Sequence, residues 1–346
     1  MIDIFGSDAF STTSLAGAVT KIPYRPTRLG PGGLNLFDEK PIATTSIAIE
    51  EVDGQLSMIQ TSARGSAGDF IGDAKRKLRS FAATHLRRNA KVMADEVQGV
   101  RMFGSEDVMQ TIEAKRDEKL AILRAMHEVT WEHHRVGALV GKVLDADGST
   151  VLLDTFTAFE VTQQTHDFNL TTSTLDVREV CELVADKIDD ELGASTYDGI
   201  HVFCGGTFYD TLIKHTYVKD VLKAAGGQVA LKLLQDLRGE MFKIGPLTFE
   251  RAKRWKVKNH VGTTINLIDP DLAYAFPLNP SPTENGPVFI GRFAPQPFLD
   301  TVNRLNPPLV VKAVKDPGDQ FIDLIGISCP LYLNTRPRSV VKLTKS

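Results

Sequence analysis

Cysteine is scarce in this sequence: Cys181, Cys204 and Cys329 are the three in 346 residues, far apart and odd in number. With no C-x-x-C pair they fit neither a disulfide framework nor a zinc ribbon. Reduced, buried thiols and an intracellular site of synthesis are expected. An excess of one charge is also missing. Forty Lys and Arg against 43 Asp and Glu leave a net charge of −3. A dedicated nucleic-acid binder needs a basic surplus, so the chain as a whole is not one. No apolar run approaches the ~18–20 residues of a membrane span. The opening MIDIFGSDAF carries acids where a signal peptide needs a basic region. No repeat of fixed period is present, which excludes a solenoid. What is present is ordinary globular material: 42% hydrophobic and 24% charged residues, about two domains' worth of chain with enough apolar surface for a core.

Residues 1–43 read as an extended arm held by a neighbouring molecule. Pro23, Pro26, Pro31 and Pro41, with Gly30, Gly32 and Gly33, forbid a regular helix over its second half. TTSIAIEEV and QLSMIQT flank Asp53-Gly54, a hairpin signal. A Gly/Ser/Ala-rich stretch follows, and then the sharpest charge asymmetry in the chain. Between Ala74 and Lys91 stand seven basic residues and no acid. Lys75, Arg76, Lys77, Arg79, Arg87 and Arg88 are thereby candidate docking contacts on a positive projection that faces an acidic partner or phosphate.

Residues 105–136 are expected to form one long helix, capped by Ser105 and ended by Gly137. Its apolar stripe is Val108, Met109, Ile112, Leu120, Leu123, Met126 and Val129 or Thr130. At 1.5 Å per residue it is a rod of roughly 45 Å, suited to support a sheet. A hairpin about Asp147-Gly148 follows over 138–163. From about 171 the pattern becomes α/β. Ser173 or Thr174 starts a helix with Val177, Val180, Cys181, Val184 and Ile188 on one face, closed by Gly193. A buried strand at 200–203 leads through Gly205-Gly206 into a helix over 207–225, with another helical stretch around 229–237. Strands then dominate to the C-terminus. The fold class is α+β, with a helical insert between two sets of antiparallel strands.

Several active-site signatures fail on a specific residue. His127-Glu128 begins a zinc motif, but Trp131 stands where the second histidine belongs, and the adjacent His133 and His134 point apart. These are expected on a solvated helix face. Gly137-x-x-x-Gly141-Lys142 is one residue short of a phosphate loop and lacks its Ser/Thr. Gly205-Gly206 could seat an anion at a helix start. Cys204, with His201 and His215 near in sequence, could suggest a thiol nucleophile, but a packed strand is the better account. Asp189, Asp190 and Glu191 read as a solvated helix end. No enzyme, cofactor or metal is expected.

The order of elements and three C-terminal stretches carry a resemblance. CGGTFYDTLIKHTYVKDVL (204–222), NLIDPDLAYAFPLN (266–279) and DLIGISCPLYLNTRPRSVVKLT (323–344) resemble segments of the lambda-type major capsid proteins of tailed bacteriophages, the capsid protein E family, with the HK97-like fold. The resemblance implies an arm over 1–43, an extended loop over 44–91, a peripheral domain over 92–170 with its spine helix at 105–136, an axial domain over 171–286 and returning strands over 287–346. It also implies self-assembly into hexameric and pentameric capsomers of an icosahedral shell around double-stranded DNA. A separate scaffolding protein is expected, because so little chain precedes the loop. A portal and a decoration protein are the other implied partners. The implied location is the virion, after assembly in the host cytoplasm, without a membrane. Lys75 and Lys77 stand where some relatives cross-link, but no matching Asn and Glu setting is visible, so non-covalent assembly is expected. The competing readings are an encapsulin-type nanocompartment shell and a soluble α+β hydrolase built on Cys204.

Overall fold

The computed structural model describes residues 28–53, 75–98, 111–193, 195–224, 241–252, 256–258, 261–281, 286–318 and 320–346. Its first half runs β1 (Asp38–Pro41), β2 (Ser46–Asp53), β3 (Lys75–Ala82), β4 (Leu86–Met93), α1 (Ile112–Val140), β5 (Lys142–Leu144), β6 (Val151–Asp154), α2 (Thr155–Phe159), β7 (Gln164–Asp167) and α3 (Val177–Leu192). The second half runs β8 (Gly199–Cys204), α4 (Gly206–Lys214), α5 (Thr216–Ala224), β9 (Met241–Ile244), β10 (Leu247–Arg251), β11 (Lys256–Lys258), β12 (Thr264–Asn266), β13 (Ala273–Leu278), β14 (Phe289–Phe293), β15 (Val310–Lys315), β16 (Phe321–Ser328), β17 (Pro330–Asn334) and β18 (Val341–Thr344). Helices and strands mix as the α+β expectation requires. The first 27 residues of the expected arm, and the stretch around 229–237, lie outside the described residues.

The largest sheet has the order β7-β18-β13-β8-β10-β9. Ile200–Cys204 of β8 and Ala273–Pro277 of β13 are buried at every position. A strand covered on both faces needs a near-continuous apolar run, and IHVFC, with His201 as its one polar member, and AYAFP supply it. Helix α3 packs across β13, β18 and β9, and α4 packs against β10. The buried face of α3 is Val177, Val180, Cys181, Val184 and Ile188, as its spacing predicts. Its cap is Asp176, not Ser173 or Thr174: the Asp176 carboxylate accepts from the backbone N–H of Arg178 at 2.9 Å.

Two expectations about this half need correction. The helix over 207–225 is two helices, α4 and α5, because His215 leaves helical geometry (ψ 139°). The buried His215 ring instead meets the Thr172 carbonyl at 3.0 Å through Nε2. Nor are the strands two antiparallel sets. β8 and β10 run parallel, as do β1 with β14 and β7 with β18. Between β8 and β10 the chain passes through α4 and α5, the crossover that parallel neighbours require.

The long helix α1 lies on β4, β16, β17 and β5. Thr111 caps it, its hydroxyl accepting from Ala114 N–H at 3.1 Å, while Ser105 lies outside the described residues. It also runs past Gly137 to Gly141, whose φ of +99° ends it. Gly137 lies inside the helix, where β5 passes so close that a Cβ there would sit 2.8 Å from Val143 Cα. The inner face differs from the apolar stripe as well. Leu120, Leu123, His127, Trp131, His134 and Ala138 are buried, whereas Met126 and Val129 are 44% and 43% exposed. That buried set keeps the i, i+3/i+4 period. Polar residues occupy it, so counting apolar letters alone shifted the stripe. His127, Glu128 and His134 are therefore interior groups, not solvated ones.

Candidate functional site

A two-stranded ribbon stands out from the body. β2 pairs antiparallel with β3, from Ser46 opposite Ala82 to Asp53 opposite Lys75. Among the described residues the partner of β2 is the basic strand β3, while Gly54 and QLSMIQT of the hairpin expected at Asp53-Gly54 lie outside the described residues. Residues 54–74, which join the two strands, lie outside the described residues. This pairing changes the charge picture. Asp53 faces Lys75 and Glu51 faces Lys77 across the register. A run of cations along the chain becomes alternating charge across a ribbon.

Period-two alternation gives the ribbon an inner and an outer face. At the root, Ile47 and Ile49 on β2 and Phe81 on β3 pack on Phe159, Ile290, Leu331 and Leu333. Phe81 and Phe159 lie 5.5 Å apart between ring centroids. On the outer face Leu78 is 74% exposed. Below the root, Ser80, Phe81, His134, Leu153, Leu331 and Tyr332 are among the residues lining a cavity of about 170 Å³.

The six candidate contacts fall into three groups. Lys75 and Arg76 lie at the distal end of β3, placed by register alone. Lys77 and Arg79 turn back onto their own subunit. Lys77 Nζ lies 2.8 Å from the Glu160 carboxylate. The Arg79 guanidinium donates to the carbonyls of Ala158 and Phe159, the C-terminal end of α2, and its NH2 lies 3.6 Å from Glu160. The hydrogen bond and charge of Lys77, reinforced by Arg79, hold the Glu160 carboxyl below the usual glutamate range. Arg87 and Arg88 are elsewhere, on β4, the edge strand of the sheet β15-β16-β4. Both are exposed. Among the described residues no carboxylate pairs with either, and Arg87 donates to Asn89 at 3.2 Å.

A strap over residues 28–41 binds the body together, and sequence reasoning missed its role. Arg28 forks onto Glu250 of β10 at 2.6 and 2.8 Å, and Glu250 also meets buried His201 at 2.8 Å. Burial alone would raise the Glu250 pKa, but the hydrogen bonds from His201 and Arg28 outweigh it and leave it lowered. The backbone N–H of Leu29 donates to Glu132 of α1 at 2.8 Å. Arg135, buried beneath the strap, pairs with Glu39 at 2.7 Å and Glu132 at 3.1 Å, and its guanidinium lies 5.1 Å from the Tyr332 ring centre. An acid and a base three apart on α1 (Glu132 and Arg135) were the visible signal; their further partners, Leu29 and Glu39, lie far away in sequence.

The near-motifs for chemistry resolve into structure. Cys204 is fully buried, and burial pushes its thiol well above the ordinary range, so no reactive thiolate is presented. The start of α4 behind Gly205-Gly206 is filled by protein: Thr207 and Phe208 donate their N–H groups to the Pro270 carbonyl at 2.9 and 3.0 Å. Gly141 of the phosphate-loop look-alike is the end of α1. Burial drives His127 down to about 4 and His134 to about 3. No helix among the described residues is long and apolar enough to cross a membrane, and no three of their His, Cys, Asp or Glu side chains could hold a metal ion.

Comparison with known proteins gives these features their context. The sequence pattern of the phage major capsid protein E family matches residues 11–345. The major capsid protein of Salmonella phage Felix O1 is 26% identical over 96% of this chain and 95% of its own length. That of Pseudomonas phage KPP10 is 27% identical over 60% of each. Among solved structures, a prophage protein of E. coli CFT073 described as its capsid protein shares 97% of this chain and 99% of its own, with TM-score 0.59 and 12% identity. The mature capsid of bacteriophage PhiM1 gives TM-score 0.51 over 94% of this chain and 90% of that one, at 8% identity. A projecting ribbon, a long supporting helix and a family match across nearly the whole sequence agree: the chain belongs to the phage major capsid protein E family and has the HK97-like fold of tailed-phage coat subunits.

Proposed function

We propose that this major capsid protein forms hexameric and pentameric capsomers that close into an icosahedral head around double-stranded DNA. A separate scaffolding protein, a portal and a decoration protein are its proposed partners, and assembly takes place in the host cytoplasm. The ribbon is the observation that carries this reading. Its apolar contacts with the body lie at the root, Lys77 and Arg79 tie it to α2, and among the described residues an exposed Leu78 and two unpaired strand edges are left over. Such edges are an aggregation hazard in a monomer and an asset in a subunit that buries them against its copies.

The proposed division narrows the extended loop from 44–91 to 44–82, because β4 pairs with β16, and takes α1 with β15-β16-β4 as the peripheral region and the six-stranded sheet with α3, α4 and α5 as the axial region. The exposed cations Arg87 and Arg88 are proposed to meet acidic surface on a neighbour, giving orientation through charge. Lys77 and Arg79, already engaged within the subunit, act on the ribbon's direction instead. A net charge of −3 suits a container that must admit and release DNA without gripping it. Sedimentation and negative-stain microscopy of the purified chain, with and without its scaffold, test the reading. Capsomers or shells are expected; a compact monomer at high concentration in both conditions would overturn it.

A further inference from the structure

The two cations that turn inward act at a conspicuous place. Asp154 caps the start of α2, accepting from Phe156 N–H at 3.0 Å and Thr157 N–H at 3.2 Å. The far end of this one-turn helix is closed by Glu160, which adopts φ +56°, ψ 37°. That left-handed conformation is costly for a residue with a Cβ, and glycine or asparagine is the usual occupant. Glu160 holds it while its carboxylate binds Lys77 and approaches Arg79. Arg79 completes the contact by donating to the last carbonyls of α2, with its guanidinium 5.7 Å from the Phe159 ring centre. Its side chain is 14% exposed, and its register partner is Ile49 on the inner face. Beyond the ribbon, Thr84 pins the chain by donating twice to the Pro330 carbonyl, N–H at 3.0 Å and hydroxyl at 2.7 Å. The ribbon is therefore fixed below by Thr84 and held sideways by α2.

We propose that α2 and Glu160 form a seat that sets the direction in which the ribbon leaves the body, with Arg79 and Lys77 as the positioning residues. The inference builds on the shell-forming reading and assigns the control of ribbon direction within that shell. An ordinary stabilising contact would not need a strained glutamate, since glycine would close α2 more cheaply. A carboxylate aimed at the ribbon is what glycine cannot supply. In a closed shell, an error in the angle of a projecting element repeats at every copy, so a seat of this kind bears on the uniformity of shell size.

The test uses the unassembled full chain, so it does not depend on whether shells form. Nitroxide labels go on Leu78→Cys and Met126→Cys, at exposed positions on the ribbon and on α1, while the native Cys181, Cys204 and Cys329 are buried. Electron–electron distance measurement compares the parent with Glu160→Gly, Arg79→Gln, Lys77→Glu and the swap Lys77→Glu/Glu160→Lys. Glu160→Gly is expected to keep or raise the melting temperature while the distance distribution broadens roughly twofold, as a local contact is lost without global unfolding. Lys77→Glu broadens it too, and the swap narrows it again. In assembly trials, Glu160→Gly particles then show a wider size range than the parent's. Distributions as narrow as the parent's in Glu160→Gly and Lys77→Glu overturn the seat, and so does a Glu160→Gly melting temperature that falls with the distribution unchanged. Should Arg79→Gln fail to fold, Glu160→Gly decides alone. Failure of the parent to form shells speaks against the shell reading and leaves the distance result standing.

Discussion

Mild acid should weaken the unassembled subunit through the histidines under α1. His127 and His134 are 4% and 2% exposed, and among the described residues their Nε2 atoms have no hydrogen-bond partner. Burial is the main cause that drives them from 6.5 to about 4 and about 3; Arg88 on β4 adds to it for His127, and His133 for His134. The sign follows from linkage. A folded pKa below the unfolded one means that the unfolded chain binds protons first, so stability is full above about 6.5 and falls as the pH drops toward the folded values. At about pH 5 each unfolded histidine is almost wholly protonated and each folded one mostly neutral, a difference of about 2 kcal/mol per residue. Two together remove about 4 kcal/mol, a large part of the ~5–15 kcal/mol that holds a domain folded.

This window separates the histidines from the carboxylates. Asp38, Glu160 and Glu250 all have lowered pKa values, so their contribution is present above the usual carboxylate range and is lost only below it. His133 and His166 are also lowered by burial and add to the loss in the same direction. Urea unfolding followed by Trp131 fluorescence at pH 7 and about pH 5 measures the effect, since that residue packs 6.2 Å from His127 between ring centres. The variant His127→Gln/His134→Gln keeps neutral side chains at both pH values and should lose about 4 kcal/mol less than the parent between them. Equal losses in parent and variant would refute the assignment of the acid sensitivity to these two rings.

Three other expectations probe separate parts of the argument. Leu123→Ala, at a site 1% exposed, should lower stability by about 2–5 kcal/mol, whereas Met126→Ala on the outward face should change it by under ~0.5 kcal/mol; urea midpoints that rank the other way would place the inner face of α1 wrongly. Gly141→Ala should cost about 1–3 kcal/mol, because φ is +99° and the new Cβ would collide with the Phe156 ring; an unchanged melting temperature would contradict it. Arg87→Glu/Arg88→Glu should leave the circular dichroism and melting of the subunit near the parent's while abolishing capsomers in sedimentation, and normal shells from that pair would show their charge to be solvent-facing only.

The elements with plain apolar periodicity were legible in the sequence. The buried face of α3 follows directly from Val177, Val180, Cys181, Val184 and Ile188, and β8 and β13 follow from runs too apolar for any exposed strand. The long helix was legible in existence and not in orientation, because its inner face is made of His127, Trp131 and His134, which a count of aliphatic residues ignores. The basic run was visible, but its meaning was not. Only the register reveals that Asp53 and Glu51 lie opposite Lys75 and Lys77, and that Arg87 and Arg88 belong to another sheet. Glu160 was invisible: nothing in TFTAFEV announces a left-handed glutamate, and the partner of its carboxylate, Lys77, stands 83 positions away in the chain.

Charge is used in two ways in this coat subunit, and the difference follows from desolvation. Arg135 is enclosed with Glu39 and Glu132, where breaking one pair leaves an uncompensated interior charge and costs about 3–5 kcal/mol. Replacing Arg135 and Glu39 by well-packed apolar groups, with Glu132→Gln keeping an acceptor for the buried Leu29 N–H, should leave total stability near the parent's, because a buried ion network repays little beyond its own desolvation. What such a replacement removes is direction. The carboxylates of Glu39 and Glu132 meet a planar fork in one geometry, and through them the strap, α1 and β1 share one arrangement. Apolar contacts tolerate sliding, and a subunit whose parts slide presents its copies with edges that do not match. The Arg135→Met/Glu39→Leu/Glu132→Gln chain should accordingly melt near the parent's temperature and still give shells of mixed size. Uniform shells from that triple variant would show that packing alone fixes the relation between strap and helix.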